Sequence, residues 1–171
     1  IPDPLLRGGG LHQIRRGGLL KLHADFNKHD STFLDRRINV LLYLNKDWKE
    51  EYGGYLELWD KDTKACGDKI LPVFNRLAIF SPTSNTFHGH PDPLTCPEGD
   101  SRKSLALFYY TNGRPDEEKN GAHTTIFAER PNERIGGLRW RVSQDYMPPV
   151  LFRAMRRFRE RHLAGTIQKR G

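Results

Sequence analysis

Cysteine is nearly missing from this chain of 171 residues, and its scarcity removes one class of architecture at once. Cys66 and Cys96 make no disulfide framework and lack the spacing of a zinc site. They read as ordinary thiols of a reducing compartment, so a cytoplasmic protein is expected. Long apolar runs are missing too. None approaches the roughly 18 residues that a membrane-spanning helix needs, and no secretory leader is visible, although a start at Ile1 leaves open what precedes it. An excess of charge is absent from most of the sequence. Residues 138–171 hold nine Lys and Arg against Asp145 and Glu160, which is the whole net charge of +7. The other 137 residues carry 19 basic and 19 acidic side chains, so an all-over nucleic-acid-binding surface is a poor reading of this chain.

What the chain does have is turn chemistry between short β-rich runs. Leu19 to Phe26, Arg37 to Leu44, Tyr55 to Trp59, Ile70 to Val73, Arg76 to Phe80, Asn85 to His88 and Arg102 to Tyr110 read as strands separated by Gly, Pro, Asn and Asp. That punctuation predicts a sandwich or barrel. The basic stretch between Gly8-Gly9-Gly10 and Gly17-Gly18 is expected to be a tight connection, and Asn45 to Tyr52 a polar excursion. After Thr111 the character changes to charged loops. Pro148-Pro149 then opens an expected helix, Val150 to Leu163, with Val150, Leu151, Ala154, Met155, Phe158 and His162 on one stripe and arginines over much of the rest. The organisation expected is therefore a mainly β domain over 1–137, a double-stranded jelly roll of the cupin type, followed by a basic helical extension over 138–171.

The chemistry lies in three separated places. His23-Ala24-Asp25 puts an imidazole and a carboxylate two residues apart, on one side of an extended segment. A histidine from Thr86-Phe87-His88-Gly89-His90 would complete two imidazoles and one carboxylate on one face of an ion, the donor set of non-haem Fe(II) oxygenases with coordination positions left open. Spacing does not choose between His88 and His90, since both face the same side of a strand. His12 and His29 are expected to be exposed or to support the first motif. Fourteen residues after His88, Arg102 stands in an otherwise apolar strand, with Ser104 on its side and Lys103 facing away. A buried guanidinium there suits a carboxylate, to which its planar fork makes two parallel bonds.

Taken together these segments resemble the Fe(II)- and 2-oxoglutarate-dependent dioxygenases of the prolyl 4-hydroxylase type. Leu22-His23-Ala24-Asp25-Phe26-Asn27 is similar to the family's first metal motif. Leu42-Tyr43-Leu44-Asn45-Lys46-Asp47-Trp48 and Gly53-Gly54-Tyr55-Leu56-Glu57-Leu58-Trp59 resemble its central segment, and Pro72 to Phe80 the strand before the distal histidine. The resemblance implies His23, Asp25 and His88 as metal ligands, because the family's histidine is the first in a His-Gly-x-Pro-like context. It implies Arg102, with Ser104 and Tyr43, as the anchor of 2-oxoglutarate. Fe(II), 2-oxoglutarate and O2 are the implied cofactors, with ascorbate as an auxiliary. The implied reaction hydroxylates a C–H bond of a small-molecule or peptide substrate, prolyl or another amino-acid residue, and releases succinate and CO2. Little of the family's usual buttress precedes Gly8.

Two other classes use the same features differently. A non-oxidative cupin-like metalloprotein or metal-dependent binding module would need the three ligands but not Arg102 and Ser104. An interaction protein would act through the basic C-terminal helix, although the common fate of such a helix is to pack on a sheet. Trp59, Arg76 and Tyr55 could line an entrance, each with an ordinary structural role as the alternative. Oligomeric state is open.

Overall fold

A computed structural model describes residues 1–118 and 121–131. The expected basic extension, with its helix Val150 to Leu163, lies outside them. The described residues form nine strands: β1 Gly10–Arg15, β2 Leu20–Ala24, β3 Asp35–Tyr43, β4 Leu56–Trp59, β5 Cys66–Ile70, β6 Leu77–Phe80, β7 Phe87–His90, β8 Ser101–Thr111 and β9 Ile126–Phe127. They make two sheets, one in the order β1-β8-β3-β6 and the other β5-β4-β7-β2-β9. Every pairing is antiparallel.

Strand β8 shows why the sequence folds this way. Arg102, Ser104, Ala106, Phe108 and Tyr110 are buried, while Lys103, Leu105, Leu107 and Tyr109 between them are only half-buried. A period of two gives the strand one inner face, and the pairing Tyr43↔Ser104 aligns it with the inner face of β3. One core cluster then joins the sheets: Tyr43 and Ala78 from β3 and β6 pack with Leu56 from β4, and Leu41, Leu58, Ile70 and Phe80 close around them. A second cluster gathers Ile14, Trp48, Leu94 and Cys96.

The polar excursion after β3 is tied down by Asn45. Its amide donates to the Pro72 and Lys103 carbonyls at 2.7 and 3.1 Å and accepts from the Lys103 N–H at 2.6 Å. Trp48 can therefore be buried with its indole N–H bonded to the Gly53 carbonyl at 3.0 Å. Among the described residues no helix is long and apolar enough to cross a membrane.

Three elements differ from the sequence reading. The basic stretch between the two glycine groups is not a mere connection but strand β1, paired along its length with β8. It carries one buried apolar side chain, Ile14, while Leu11 points outward at 71% exposure, so its alternation is hard to see. β5 ends at Ile70 and does not run on to Val73, because Pro72 has no N–H to give a ladder. β9 is two residues long, below what periodicity detects.

Leu94 and Leu11 give a test of this core. Leu94→Ala leaves a cavity beside Trp48 and Ile14 and should cost about 2–5 kcal/mol, whereas Leu11→Ala at an exposed site should stay within about 0.5 kcal/mol. Urea denaturation of both variants measures the difference, and equal losses would contradict the packing described.

Candidate metal centre

The centre is built on one strand pair. β2 and β7 run antiparallel with His23 directly opposite His88. Their rings lie 4.4 Å apart, centroid to centroid, and both side chains are buried. The register of β2 shifts between Leu20 and His23, the kind of bulge that re-aims a side chain. This irregular stretch folds over Gly89, where a Cβ would meet the Leu20 and Lys21 carbonyl oxygens at 2.6 and 2.8 Å. Glycine between the two histidines is therefore a steric requirement of the site.

Asp25 follows immediately after β2 and meets both imidazoles. Its Oδ2 is 3.3 Å from His88 Nε2 and its Oδ1 is 3.7 Å from His23 Nε2. Donors each about 2.1 Å from one dication stand roughly 3 Å apart when they occupy adjacent positions, and the two Asp25–imidazole distances are close to that spacing. Among the described residues this is the group of three potential ligands that lies together, within 4.8 Å. His23 Nδ1 bonds the Lys21 carbonyl at 2.9 Å. A carbonyl only accepts, so the proton sits on Nδ1 and the Nε2 lone pair is directed toward Asp25 and His88.

Charge is arranged to suit a cation. Burial, followed by the neighbouring His88, lowers His23 to about 4 against the partial opposition of Asp25, which keeps the imidazole neutral and able to ligate. Burial alone would raise the Asp25 carboxyl, but the Arg36 guanidinium, with His88 and His23, outweighs it and holds the group well below the ordinary carboxylate range. Arg36 sits 3.0 Å from Asp25 Oδ2, and the Asn39 amide donates to the same oxygen at 2.7 Å. Arg36 is in turn held by Asn39 Oδ1 at 2.9 Å and lies between the rings of Phe26 and Phe108, at 4.6 and 3.4 Å from their centroids. The donors fit a first-row dication: two imidazoles, an ionised carboxylate, and supports that fix them.

The opposite sheet supplies a cation. Arg102 on β8 is buried, donates through Nε to the Gly54 carbonyl at 2.8 Å, and reaches the Tyr43 hydroxyl at 3.4 Å. Gly54 has φ +72°, and a Cβ there would meet Leu94 at 2.6 Å and Arg102 Cδ at 3.0 Å, so the Gly-Gly turn makes room for the guanidinium. Burial, opposed by Arg102, raises the Tyr43 phenol and keeps it a hydrogen-bond donor. Ser104 is buried on the same face of β8, across from Tyr43. Lys103 is half-buried and turns back to the Ser101 carbonyl.

His90 also faces inward, buried, with neither ring nitrogen bonded. Burial, then Arg102, then His23 lower its pKa well below the ordinary histidine value. His29 departs from the expectation of an exposed or supporting residue. It is buried, and its Nδ1 accepts from the Ser31 and Thr32 N–H groups at 3.3 Å, outside the cluster. Arg76 bonds the Leu71 carbonyl and Trp59 donates to Glu57, which are structural roles.

The sequence model of the 2OG-Fe(II) oxygenase superfamily matches residues 9–110, which include His23, Asp25, His88 and Arg102. The chain belongs to that superfamily. Prolyl 3-hydroxylase OGFOD1 of Mus musculus is 33% identical to it over 86 residues. That match covers 48% of this chain and 15% of the mouse protein, so the chain spans a small part of that relative. Among solved structures, a Trichoplax adhaerens prolyl hydroxylase in complex with a peptide fragment of the hypoxia inducible factor oxygen degradation domain is 26% identical. Its match covers 60% of this chain and 42% of that one, with a TM-score of 0.45. A prolyl-4-hydroxylase of Pseudomonas putida is 20% identical over 61% of this chain and 52% of its own, with a TM-score of 0.42.

Asn39 and Arg36 escaped the sequence reading as parts of this site, whereas Gly54 and Gly89 entered it only as motif context. Asn39 left a signal, a lone amide inside Ile38-Asn39-Val40-Leu41-Leu42. Arg36, next to Arg37 at a strand start, left none.

The depressed His23 makes the metal-free protein sensitive to acid. Below about pH 6.5 the unfolded chain binds a proton that the folded site refuses until about pH 4. Stability should therefore be level above 6.5 and fall as pH drops toward 4, by at most about 3 kcal/mol from this group. His90 contributes in the same direction. Urea midpoints across that range should show a shallower slope for His23→Leu, and an identical slope would remove His23 from the account.

Proposed function

We propose that this oxygenase domain uses Fe(II) and 2-oxoglutarate to hydroxylate a C–H bond of a peptide or small-molecule substrate, a prolyl or other amino-acid residue being the first choice. The observation that carries the reading is the pairing of two sites across one interior: a facial donor set of His23, Asp25 and His88 on one sheet, and a buried Arg102 beside the Tyr43 hydroxyl on the other. A non-oxidative cupin-like metalloprotein has no use for the second. The strand orders β1-β8-β3-β6 and β5-β4-β7-β2 interleave the chain between two facing sheets, which supports reading the domain as a double-stranded jelly roll. The choice of peptidyl substrate rests on the prolyl hydroxylase named among the relatives.

The metal, when bound with 2-oxoglutarate and O2, supplies oxidative decarboxylation of the 2-oxo acid coupled to hydroxylation, with succinate and CO2 as products. The chain's own residues prepare that chemistry. His23 and His88 would hold the ion through their Nε2 atoms. Asp25 would give one carboxylate to it while Arg36 and Asn39 grip Oδ2 and fix its orientation. Three ligands on one face leave positions for a chelating 2-oxo acid and O2. Arg102, Tyr43 and Ser104 would receive the far carboxylate, which fixes the length and direction of the co-substrate.

Anaerobic mixing of the protein with Fe(II) and 2-oxoglutarate should give the visible charge-transfer band of a metal–2-oxo acid chelate, and His23→Ala or Asp25→Ala should lose it. An undiminished band in both variants would reject these ligands. Arg102→Ala leaves the co-substrate's far carboxylate buried without its partner, a cost of about 3–5 kcal/mol, on the order of 10²–10³-fold in affinity. It should raise the 2-oxoglutarate requirement by that factor while Fe(II) affinity and the Lys103→Ala control stay near normal. Succinate release against 2-oxoglutarate concentration, with Fe(II) binding measured in parallel, decides the point.

A further inference from the structure

His90 is a side chain that the three-ligand centre and the Arg102 anchor leave unexplained. It is 3% exposed, and neither Nδ1 nor Nε2 has a hydrogen-bond partner among the described residues. An imidazole in this state forfeits the solvation of two polar atoms with no bond made in exchange. A purely structural position at the end of β7 would be better served by leucine or valine. Such a defect persists where a ligand group repairs it.

Its position says which ligand group. His90 pairs with Leu20 of β2, while His88 pairs with His23, so the two histidines share a face and His90 stands further from Asp25. Two residues along a strand is about 6.6 Å, comparable to the distance between the carboxylates of an extended five-carbon dicarboxylate. Two residues before Leu20, the Gly18 carbonyl accepts from the Leu94 N–H at 3.0 Å, and Leu94 packs on Gly54, whose carbonyl holds Arg102 Nε, so His90 stands toward the anchor's end of the site. Glu57, the acid nearest in register through its pairing with Gly89, bonds outward to Lys69 and Trp59 and is not its partner.

Resting on the 2-oxoglutarate reading above, we infer that His90 is a co-substrate-binding residue whose ring N–H donates to the far carboxylate held by Arg102. The pocket then recognises a 2-oxo dicarboxylic acid with Arg102, Tyr43 and His90 together, and discriminates against 2-oxo acids that end in a methyl group.

The test compares the wild type with His90→Leu and His90→Gln in two measurements. In the first, 2-oxoglutarate and 2-oxovalerate, which lacks the far carboxylate, are each titrated into the anaerobic Fe(II) protein and followed by the charge-transfer band. In the second, the melting temperature of the metal-free protein is recorded. His90→Leu should weaken 2-oxoglutarate by about 10- to 100-fold, the range for one hydrogen bond to a charged group, and leave 2-oxovalerate within about two-fold. His90→Gln, which keeps a donor, should recover part of the loss. The melting temperature of His90→Leu should equal or exceed that of the wild type, since an unpaired buried imidazole is removed. Normal 2-oxoglutarate binding by His90→Leu overturns the inference. So does an equal loss for both acids, which would put the contact at the metal end, or a lowered melting temperature that accompanies the loss, which would make the role structural. A wild type that binds no 2-oxoglutarate fails before any variant is compared and overturns the co-substrate reading together with the inference.

Discussion

The pairing of β2 with β7 is the constraint on which the rest of the site depends. Only this register puts His23 opposite His88, and it is reached by a bulged backbone lying across a residue with no side chain. Any Cβ at Gly89 would push the Leu20 and Lys21 carbonyls away and move His23 with them. The same bulge turns the chain so that Asp25, just past the strand, comes back to both imidazoles. A metal centre made this way draws on backbone geometry as much as on ligand identity.

The second layer is a charge arrangement that makes the centre tolerable without a cation. A buried carboxylate beside two imidazoles would ordinarily be driven toward protonation by its surroundings. Arg36 prevents this, and its own burial is made affordable by two aromatic faces and Asn39. The arrangement extends from β3 through Asp25 to the β2–β7 pair, so the two sheets are coupled through polar contacts at the site and through apolar ones at the Tyr43–Leu56–Ala78 cluster. Arg102 repeats the strategy at the other end of the interior, fixed by the Gly54 carbonyl and Tyr43. Two buried guanidiniums thus bracket the interior: Arg36 holds Asp25, and Arg102 is fixed by Gly54 and Tyr43.

Much of the chemistry was legible in the sequence because it is carried by residue type and short spacing. His23-Ala24-Asp25, the His88-Gly89-His90 segment and Arg102 with Ser104 each point to their chemistry without knowledge of the fold. What stayed hidden depended on partners distant in sequence. β1 lacks a clear apolar period because Ile14 is its one buried apolar side chain while Leu11 faces solvent, and β9 is too short to have a period. Nothing in the sequence around Arg36 shows that Phe26, Phe108 and Asp25 surround it.

By itself the sequence determined the donor atoms, the two-residue steps that put side chains on a common face, and the presence of a lone cation in an apolar strand. These follow from covalent order and the period of an extended backbone, which no tertiary contact alters. Spacing was neutral between His88 and His90, and a family resemblance favoured His88. Tertiary structure set His88 beside Asp25, required a glycine between the two histidines, and brought Arg36 and Asn39 to the carboxylate. Those outcomes depend on strand register, and register is set by pairings between segments tens of residues apart, whose energies the local sequence does not contain.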